Sequence, residues 1–480
     1  MDVAVETQSP TGTTRQTPIV DRRVLVADRR VLVPSWWRDA VGLTIWANLL
    51  IVTALWVSGG GLQALSTPAG AFTTLGRLTG LIASVLLLIQ VLLMARLPVV
   101  ERVYGQDELA RRHRLVGFWS FSLMLVHLVL ITIGYALSAR LNVFVQFWEL
   151  VVDYPGMLLA TAGTVLVVVV AMSSIRAARR KLRYESWHLI HLYAYLGVGL
   201  ALPHQLWTGQ EFLSNAWATI YWWGLWIAAL VAIVGWRLAV PLYRSLRHDL
   251  RVAGVRRESA DVISVLISGR DLDRLPVAAG QFFHWRFLGR PSWTRAHPYS
   301  LSAAPNGRDL RITVKDLGDG SHELAGVTPG SRVLIEGPYG RLHGGVRTSR
   351  KVLLMGAGIG ITPLRALLEE LPQAPGDVTF IYRAGSDDEL VLAGEIEQLA
   401  ASRGARVFFV VGHRRRERNS WLPSSAGTLS DADGLRRLVP DIAEHDVYLC
   451  GADAWMDAAA KAARECGVPA DRIHSERFSW

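Results

Sequence analysis

The first 240 residues consist of long uncharged runs of Leu, Val, Ile, Ala and Trp, separated by short arginine clusters. Six runs are long enough to cross about 30 Å of hydrocarbon as helices: 39–58, 73–95, 114–136, 154–175, 186–206 and 217–240. Beyond them the pattern changes. Short alternating segments such as "DVISVLISG" and "DLRITVKDL", broken by Gly, Pro and Asp turns, predict the strands of a small barrel. From residue 350 the order becomes strand, loop, helix, beginning with "KVLLMGAGIGITPLRALLEEL". The pattern therefore predicts a flexible basic leader over 1–38, a six-helix membrane bundle over 39–243, a β-barrel over 244–345 and an α/β domain over 346–480.

The charges set an orientation. Arg22, Arg23, Arg29, Arg30 and Arg38 precede the first run. Arg96, Arg102, Arg111, Arg112 and Arg114 lie between the second and third, and Arg176, Arg179, Arg180, Lys181 and Arg183 between the fourth and fifth. The alternate loops hold little that is basic beyond Arg77 and Arg140. The positive-inside rule then places both termini in the cytoplasm of a multi-pass protein of the cell membrane. The net charge of +10 is explained by these flanks, and a nucleic-acid partner is not expected. Two cysteines, Cys450 and Cys466, exclude a four-cysteine iron–sulfur cluster, a cysteine zinc site and a disulfide framework. The leader carries a duplicated heptapeptide, "DRRVLVA" then "DRRVLVP", and no secretory signal is expected in it.

Histidine is rare inside membrane-length segments and marks a functional site when it occurs there. The third run carries His113 and His127, fourteen residues apart. A helix rises about 21 Å over that interval and brings the second ring back to within roughly 40° of the first. The fifth run carries His191 and His204, thirteen apart, where an ideal helix turns the second ring away; Pro203 offers a kink that corrects this. His188 is the alternative to His191. Two helices with imidazoles at matching depths form two pairs of axial ligands for iron, one above the other. Histidines satisfied by other polar groups, or set along a proton path, are the competing readings.

Six spans with such pairs on the third and fifth resemble the ferric reductase-like transmembrane family, which includes NADPH oxidases and yeast-type ferric reductases. The resemblance implies two b-type haems, the inner between His113 and His191 and the outer between His127 and His204. Trp119 and Phe121 lie between the third-run histidines, with core packing as their expected role. Arg77 is expected either to pair with an outer haem propionate or anionic acceptor, or to snorkel to headgroups.

In the soluble half, "HPYSLSAAP" places an aromatic beside a small hydroxyl residue, as a flat ring system needing stacking and one hydrogen bond requires. "VKDLGDGSHEL" offers backbone N–H groups and a hydroxyl at Gly320-Ser321, where a short helix opens. Together these resemble the FAD-binding barrel of the ferredoxin–NADP reductase superfamily. His297-Pro298-Tyr299-Ser300 sides with the membrane branch, which has His-Pro-Phe-Thr there. By that resemblance Tyr299 packs on the isoalloxazine and Ser300 approaches its N5 edge. His297, Lys315, Gly320 and Ser321 serve the rest of the cofactor.

Gly356, Gly358 and Gly360, followed by Thr362-Pro363, are too closely spaced for a Rossmann fingerprint. They resemble the nicotinamide-nucleotide loop of the same superfamily, whose Cys-Gly is matched by Cys450-Gly451. Arg383 ends the strand "VTFIYR", and Arg414, Arg415 and Arg416 follow another strand. Guanidinium suits a 2′-phosphate, so NADPH is favoured over NADH. Phe478, with Trp480 as the alternative, matches the C-terminal aromatic that covers the flavin in the superfamily.

The resemblance implies an NAD(P)H-dependent flavocytochrome oxidoreductase. Electrons pass from cytoplasmic NAD(P)H through FAD and two haems to an acceptor on the outer face: ferric chelate, oxygen, quinone or a periplasmic protein. With no calcium-binding loop before the first run, a calcium-switched oxidase is disfavoured. A non-catalytic haem anchor and an electron-transfer subunit serving a periplasmic partner are the alternatives.

Overall fold

The computed structural model describes residues 36–179, 181–182, 184–213, 216–289, 293–415 and 419–477. The duplicated heptapeptide, Arg180, Arg183, Arg416, Phe478 and Trp480 lie outside the described residues. The chain forms two compact units, one within Pro34–Ala239 and the other within Val240–Trp480.

Hydrocarbon offers a backbone amide no partner, so a chain this apolar folds as helices that bond their own N–H groups. In order these are α1 (Trp36–Ser58), α2 (Pro68–Leu93), α3 (Pro98–Tyr104), α4 (Gln106–Ala139), α5 (Val143–Asp153) and α6 (Met157–Ser174). They continue with α7 (Arg176–Arg179), α8 (Tyr184–Leu200), α9 (Leu202–Trp207), α10 (Gln210–Leu213) and α11 (Ala216–Ala232), followed by a π-helical stretch, Ile233–Ala239. Local chemistry sets their ends. Thr67 accepts the Gly70 N–H at 3.1 Å and Pro68 takes the first helical position of α2. Gly105, at φ 74°, turns the chain between α3 and α4, and Asn142 caps α5 by accepting the Phe144 N–H at 2.8 Å.

Among the described residues, five helical segments are long and apolar enough to cross a membrane: Asp39–Ser58, Pro68–Leu93, Glu108–Ala139, Met157–Ser174 and Ala216–His248. The expected span at 186–206 is instead broken, with α8 ending at Leu200 and α9 restarting at Leu202. Pro203 is the cause, because in a continuous helix its ring would meet the carbonyl of Gly199. The third span also starts earlier than expected, so His113 lies about two turns inside α4. Run lengths give no hint of α5, which buries Gln146, Leu150 and Val151 and exposes Phe144 and Trp148.

Small residues bring the helices close. A Cβ on Gly76 of α2 would lie 2.9 Å from Ile131 of α4, and one on Gly134 would lie 2.7 Å from the backbone nitrogen of Thr73. These pairings make α2 and α4 antiparallel neighbours. Gly163 of α6 and Gly197 of α8 meet similarly, with a Cβ on Gly163 only 2.5 Å from the Gly197 carbonyl oxygen.

The second unit begins with α12 (Val240–His248) and then β1 (Arg251–Arg257), β2 (Val262–Ser268), β3 (Phe282–Phe287), β4 (His297–Ser300), β5 (Asp309–Lys315), α13 (Asp319–Leu324) and β6 (Val333–Tyr339). The strands form two three-stranded antiparallel sheets, β1-β2-β5 and β4-β3-β6. Isolated bridges join them at both seams, Arg251 to Arg332 and Leu301 to Ile312. Alternate residues of both sheets, among them Val265, Ile267, Phe283, Trp285, Ile312 and Ile335, share one core.

A parallel sheet follows. Its elements are β7 (Lys351–Ala357), α14 (Ile361–Glu370), β8 (Val378–Ala384), α15 (Ala393–Arg403), β9 (Arg406–Val411), α16 (Asp431–Leu438), β10 (His445–Cys450), α17 (Asp453–Glu465) and β11 (Ile473–Glu476). The strand order is β11-β10-β7-β8-β9. Helices cover both faces, so its strands are apolar on both sides. Leu354, Phe380 and Tyr382 pack with α14 and α15, while Leu353, Met355 and Ile381 pack with α17.

At the start of β10 the buried Asp446 carboxylate accepts from His474 Nε2 at 2.8 Å, from Thr348 N at 2.9 Å and from Ser349 N. Burial alone would raise its pKa, but these bonds outweigh it and hold the group below the usual carboxylate range. A folded pKa below the unfolded value of about 3.9 means the stabilisation is complete above roughly pH 5 and is lost as pH falls through the folded pKa. Asp446→Asn is expected to cost about 2–3 kcal/mol at pH 7, with the gap to wild type closing in acid, as read by melting of the detergent-solubilised protein.

Candidate functional site

In the membrane unit the two histidines of α4 are both anchored to α2. His113 Nδ1 lies 3.2 Å from the Gln90 carbonyl oxygen and His127 Nδ1 lies 2.7 Å from that of Gly76. A carbonyl only accepts, so each Nδ1 carries the proton and each Nε2 keeps its lone pair. Gly76 and Gln90 are themselves fourteen residues apart, and antiparallel packing transfers the interval from one helix to the other. The His127 ring needs a further glycine, since a Cβ on Gly80 would stand 2.5 Å from its Nδ1.

His191 of α8 faces His113, with ring centroids 5.9 Å apart and planes at 67°. Trp187 packs on the His191 ring at 5.1 Å, and Ser174 Oγ lies 3.3 Å from its Nδ1. The break before α9 turns His204 into the neighbourhood of His127, within electrostatic reach. Its backbone packs against Gly156, whose φ of 80° and missing side chain leave room. His204 Nδ1 is buried, with the Ala201 backbone beside the ring.

Two neighbours of these rings depart from expectation. Arg77 is paired with the carboxylate of Glu211 in α10, a residue that run patterns do not single out. In an apolar setting the carboxylate holds the guanidinium in place, so it does not snorkel. Trp119 is 54% exposed and meets Phe118 edge-on at 5.7 Å, so it is not core packing.

In the second unit, β3 and β4 present the expected motif. Trp285 Nε1 donates to the Tyr299 carbonyl oxygen at 2.9 Å, and the Tyr299 ring stacks on His297 at 5.9 Å and 14°. Gly320 lies against His297, where a Cβ would come within 2.3 Å of Cε1. The Ser300 hydroxyl is buried and has no partner. Burial pushes the Tyr299 phenol up, so it stays protonated. Two expected residues are engaged elsewhere. Ser321 Oγ accepts the N–H groups of Leu317 and Gly318 at 2.8 and 3.1 Å and closes its own turn. Lys315 pairs with Asp261 at 3.3 Å across the β2–β5 edge.

The glycine loop and the Cys-Gly pair meet at the C-terminal ends of β7 and β10. A Cβ on Gly360 would be 2.4 Å from the Cys450 carbonyl oxygen, and one on Gly451 would be 3.0 Å from the Ala357 Cβ. Gly358, at φ 53°, has open space where a side chain would go. Thr362 bonds back to the Ile359 carbonyl at 3.0 Å, and Pro363 is buried in the first turn of α14. Burial, with Glu476 nearby, raises the Cys450 thiol well above its usual pKa, so it is not a thiolate nucleophile.

Arg383 does not face a ligand. It lies in β8, whose residues are all buried, and its guanidinium donates to the carbonyls of Ala384, Trp421 and, at 3.2 Å, Val410. Arg415, beyond β9, donates one N–H to the Leu429 carbonyl at 3.0 Å, while its Nε and second terminal nitrogen are buried without partners. Sequence reading overlooked the α2 residues Gly76, Gly80 and Gln90. The Gly-x-x-x-Gly spacing of the two glycines was the available signal.

Comparison with known proteins supplies two family matches. Residues 79–202 match the ferric reductase like transmembrane component, and residues 354–461 match the oxidoreductase NAD-binding domain. The chain is 32% identical over 240 residues to the ferredoxin reductase component of 3-ketosteroid-9-alpha-monooxygenase of Mycolicibacterium smegmatis, covering 48% of this chain and 65% of that protein. It is 30% identical over 247 residues to a flavohemoprotein of Chromobacterium violaceum, covering 48% of this chain and 60% of that one. The chain thus spans less than two thirds of the length of these curated relatives. A solved FAD/NAD binding domain of nitric oxide dioxygenase from Vibrio cholerae aligns at a TM-score of 0.39 and 29% identity, over 48% of this chain and 98% of that one.

Arg383→Met is expected to leave carbonyls unpaired and to lower the stability of the second unit by about 1–3 kcal/mol in thermal melts, without changing nucleotide affinity.

Proposed function

Since one chain joins a ferric reductase-like membrane component to an oxidoreductase NAD-binding domain, we propose that it is a transmembrane NAD(P)H-dependent oxidoreductase. It carries electrons from cytoplasmic NAD(P)H through FAD and two bis-histidine haems to an acceptor on the outer face. The observation that carries this reading is the pair of α4 imidazoles, each anchored through Nδ1 to an α2 carbonyl.

The residues fit haem. Nδ1 anchoring to a carbonyl orients an imidazole and makes its other nitrogen a better ligand. With metal–nitrogen bonds of about 2 Å and a ring centre about 1 Å behind each nitrogen, two axial imidazoles have centroids roughly 6 Å apart. The 5.9 Å between His113 and His191 is compatible with that, and favours His191 over His188. His127 and His204 hold the second group. His113, His191, His127 and His204 would hold the haems, which would supply one-electron exchange when bound.

The residues also fit a flavin. His297, Tyr299 and the unpartnered Ser300 hydroxyl offer a stacking surface and one hydrogen bond. FAD supplies the conversion between a hydride and single electrons. The glycine-rich loop at Gly356–Gly360, with open space at Gly358, lets a dinucleotide approach the N-terminus of α14. Cys450, neutral and buried, shapes the wall of that site. With Arg383 committed to carbonyls, Arg414 and Arg415 beyond β9 are the guanidinium groups nearest the expected place of a 2′-phosphate. Their position beyond the C-terminal end of β9 is where parallel sheets bind ligands. Phe478 remains the proposed flavin cover.

Orientation follows from charge. The alternate loops are poor in Lys and Arg while Arg96, Arg102, Arg111 and Arg112 crowd the loop between the second and third spans, which supports cytoplasmic termini.

Gly80→Val is expected to push His127 off its carbonyl and to remove about half of the bound haem, read as absorbance per protein, while the signal of the inner site persists; unchanged haem content would refute the assignment. The activity itself is tested on purified protein under anaerobic conditions. NADPH is expected to reduce bound flavin and then a low-spin haem spectrum, and reoxidation by ferric chelate, oxygen or quinone in turn identifies the acceptor. Haem that NAD(P)H does not reduce would overturn the enzyme reading.

A further inference from the structure

One carboxylate in the second unit gathers three guanidinium groups from three different elements. Glu395 lies in the first turn of α15. Its Oε1 accepts from Arg256 of β1 at 2.8 Å and from Arg311 of β5 at 3.0 Å, and its Oε2 accepts from Arg311 at 2.8 Å. Arg365 of α14 brings its Nε to 3.1 Å from the same Oε2. Burial alone would raise the pKa of Glu395, but hydrogen bonds from Arg311 and Arg256 and the charges of Arg311 and Arg365 bring it down to about 2. The outer members are balanced by Glu258, beside Arg256, and by Glu369, beside Arg365.

The far edge of Arg311 reaches toward the flavin motif. Its Nε donates to Ser302 Oγ at 3.1 Å and its terminal nitrogen to the Ser302 carbonyl oxygen at 2.8 Å. Ser302 also accepts from Thr313 Oγ1 at 2.8 Å, so this segment is held from within the sheet as well. On the other side, Glu369 at the end of α14 accepts the Ala304 N–H at 2.8 Å, and Glu370 accepts the Ala279 N–H at 3.0 Å. The start of α14 is the glycine loop. One rigid helix thus carries the dinucleotide loop at its N-terminus and is clamped at its C-terminus to the segment that follows Ser300.

We propose that Glu395 is a positioning residue: its clasp on Arg256, Arg311 and Arg365 sets the spacing between the Ser300 strand and the glycine loop. That spacing is the distance over which a hydride must pass from nicotinamide to flavin, so the inference rests on the function proposed above. Hydride transfer is steeply sensitive to the alignment of its two partners, and a misplacement near 1 Å costs on the order of 100-fold.

The test uses the full-length flavin-loaded protein in detergent. In anaerobic rapid mixing with NADPH, Glu395→Gln is expected to slow flavin reduction about 10- to 100-fold while nucleotide affinity stays within about threefold, and Glu395→Asp to recover part of the rate. In the nucleotide-free protein, hydrogen exchange at Ser302 and Ala304 is expected to accelerate about tenfold, with β7 and β8 unchanged. Should Glu395→Gln fail to fold, Arg311→Lys, which keeps the charge and breaks the fork, is expected to give the same split. An unchanged reduction rate overturns the proposal. So does acceleration of exchange throughout β7 and β8, which marks general destabilisation. Wild-type flavin that NADPH cannot reduce overturns the proposed function, and the exchange measurement then decides separately whether the clasp holds the Ser302 segment.

Discussion

The membrane unit depends on the bond between an imidazole Nδ1–H and a helix carbonyl. A histidine among apolar helices needs a partner for each ring nitrogen, because hydrocarbon solvates neither. The carbonyls of Gly76 and Gln90 occupy the Nδ1 positions of His127 and His113. What is left is one lone pair per ring, in a fixed direction, at two depths. Glycine makes the contact geometrically open, since a side chain at Gly80 would fill the place of the His127 ring. The spacing of the histidines, the spacing of their carbonyl partners and the antiparallel packing of α2 and α4 are therefore one constraint seen three ways.

The second unit solves a different problem with the same device of omitted side chains. A dinucleotide site on a parallel sheet needs backbone exposed at the C-terminal ends of neighbouring strands. In the proposed site Gly358 has open space where a side chain would go, and Gly356 and Gly360 let the loop pack closely beside Cys450-Gly451, where β7 and β10 are in register. Ionic groups then hold the pieces in place. The Arg311 guanidinium shares its N–H groups between Glu395 and Ser302, and Asp446 collects His474, Thr348 and Ser349. Buried charges of this kind add little net stability over an apolar core, but an unmatched partner is costly, so they disfavour alternative arrangements.

Much of this architecture was legible in the run lengths and motif order. Five of the expected spans appear as long apolar helices, and the two alternating segments "DVISVLISG" and "DLRITVKDL" form β2 and β5. The misreadings share a cause. Arg383 was expected at a 2′-phosphate because guanidinium suits that group, but between β7 and β9 it is buried among carbonyls. Ser321 carried the right chemistry in a turn that uses its hydroxyl for closure. Arg77 was expected to pair with a haem propionate or anionic acceptor or to snorkel, because Glu211, its partner in the fold, is far away along the chain.

By itself the sequence determined that this is a membrane protein with a soluble α/β extension. It also determined that histidines lie at two depths and that glycine-lined backbone is offered to a nucleotide. These are properties of periodicity and of residue type, which one dimension records. Only the tertiary structure decided which ring nitrogen is free, that His191 faces His113, that Pro203 breaks the helix before His204, and which arginines are already occupied. Each of those is a contact between residues distant in the chain. Its energy depends on distance and on the exclusion of water, neither of which is written in local sequence.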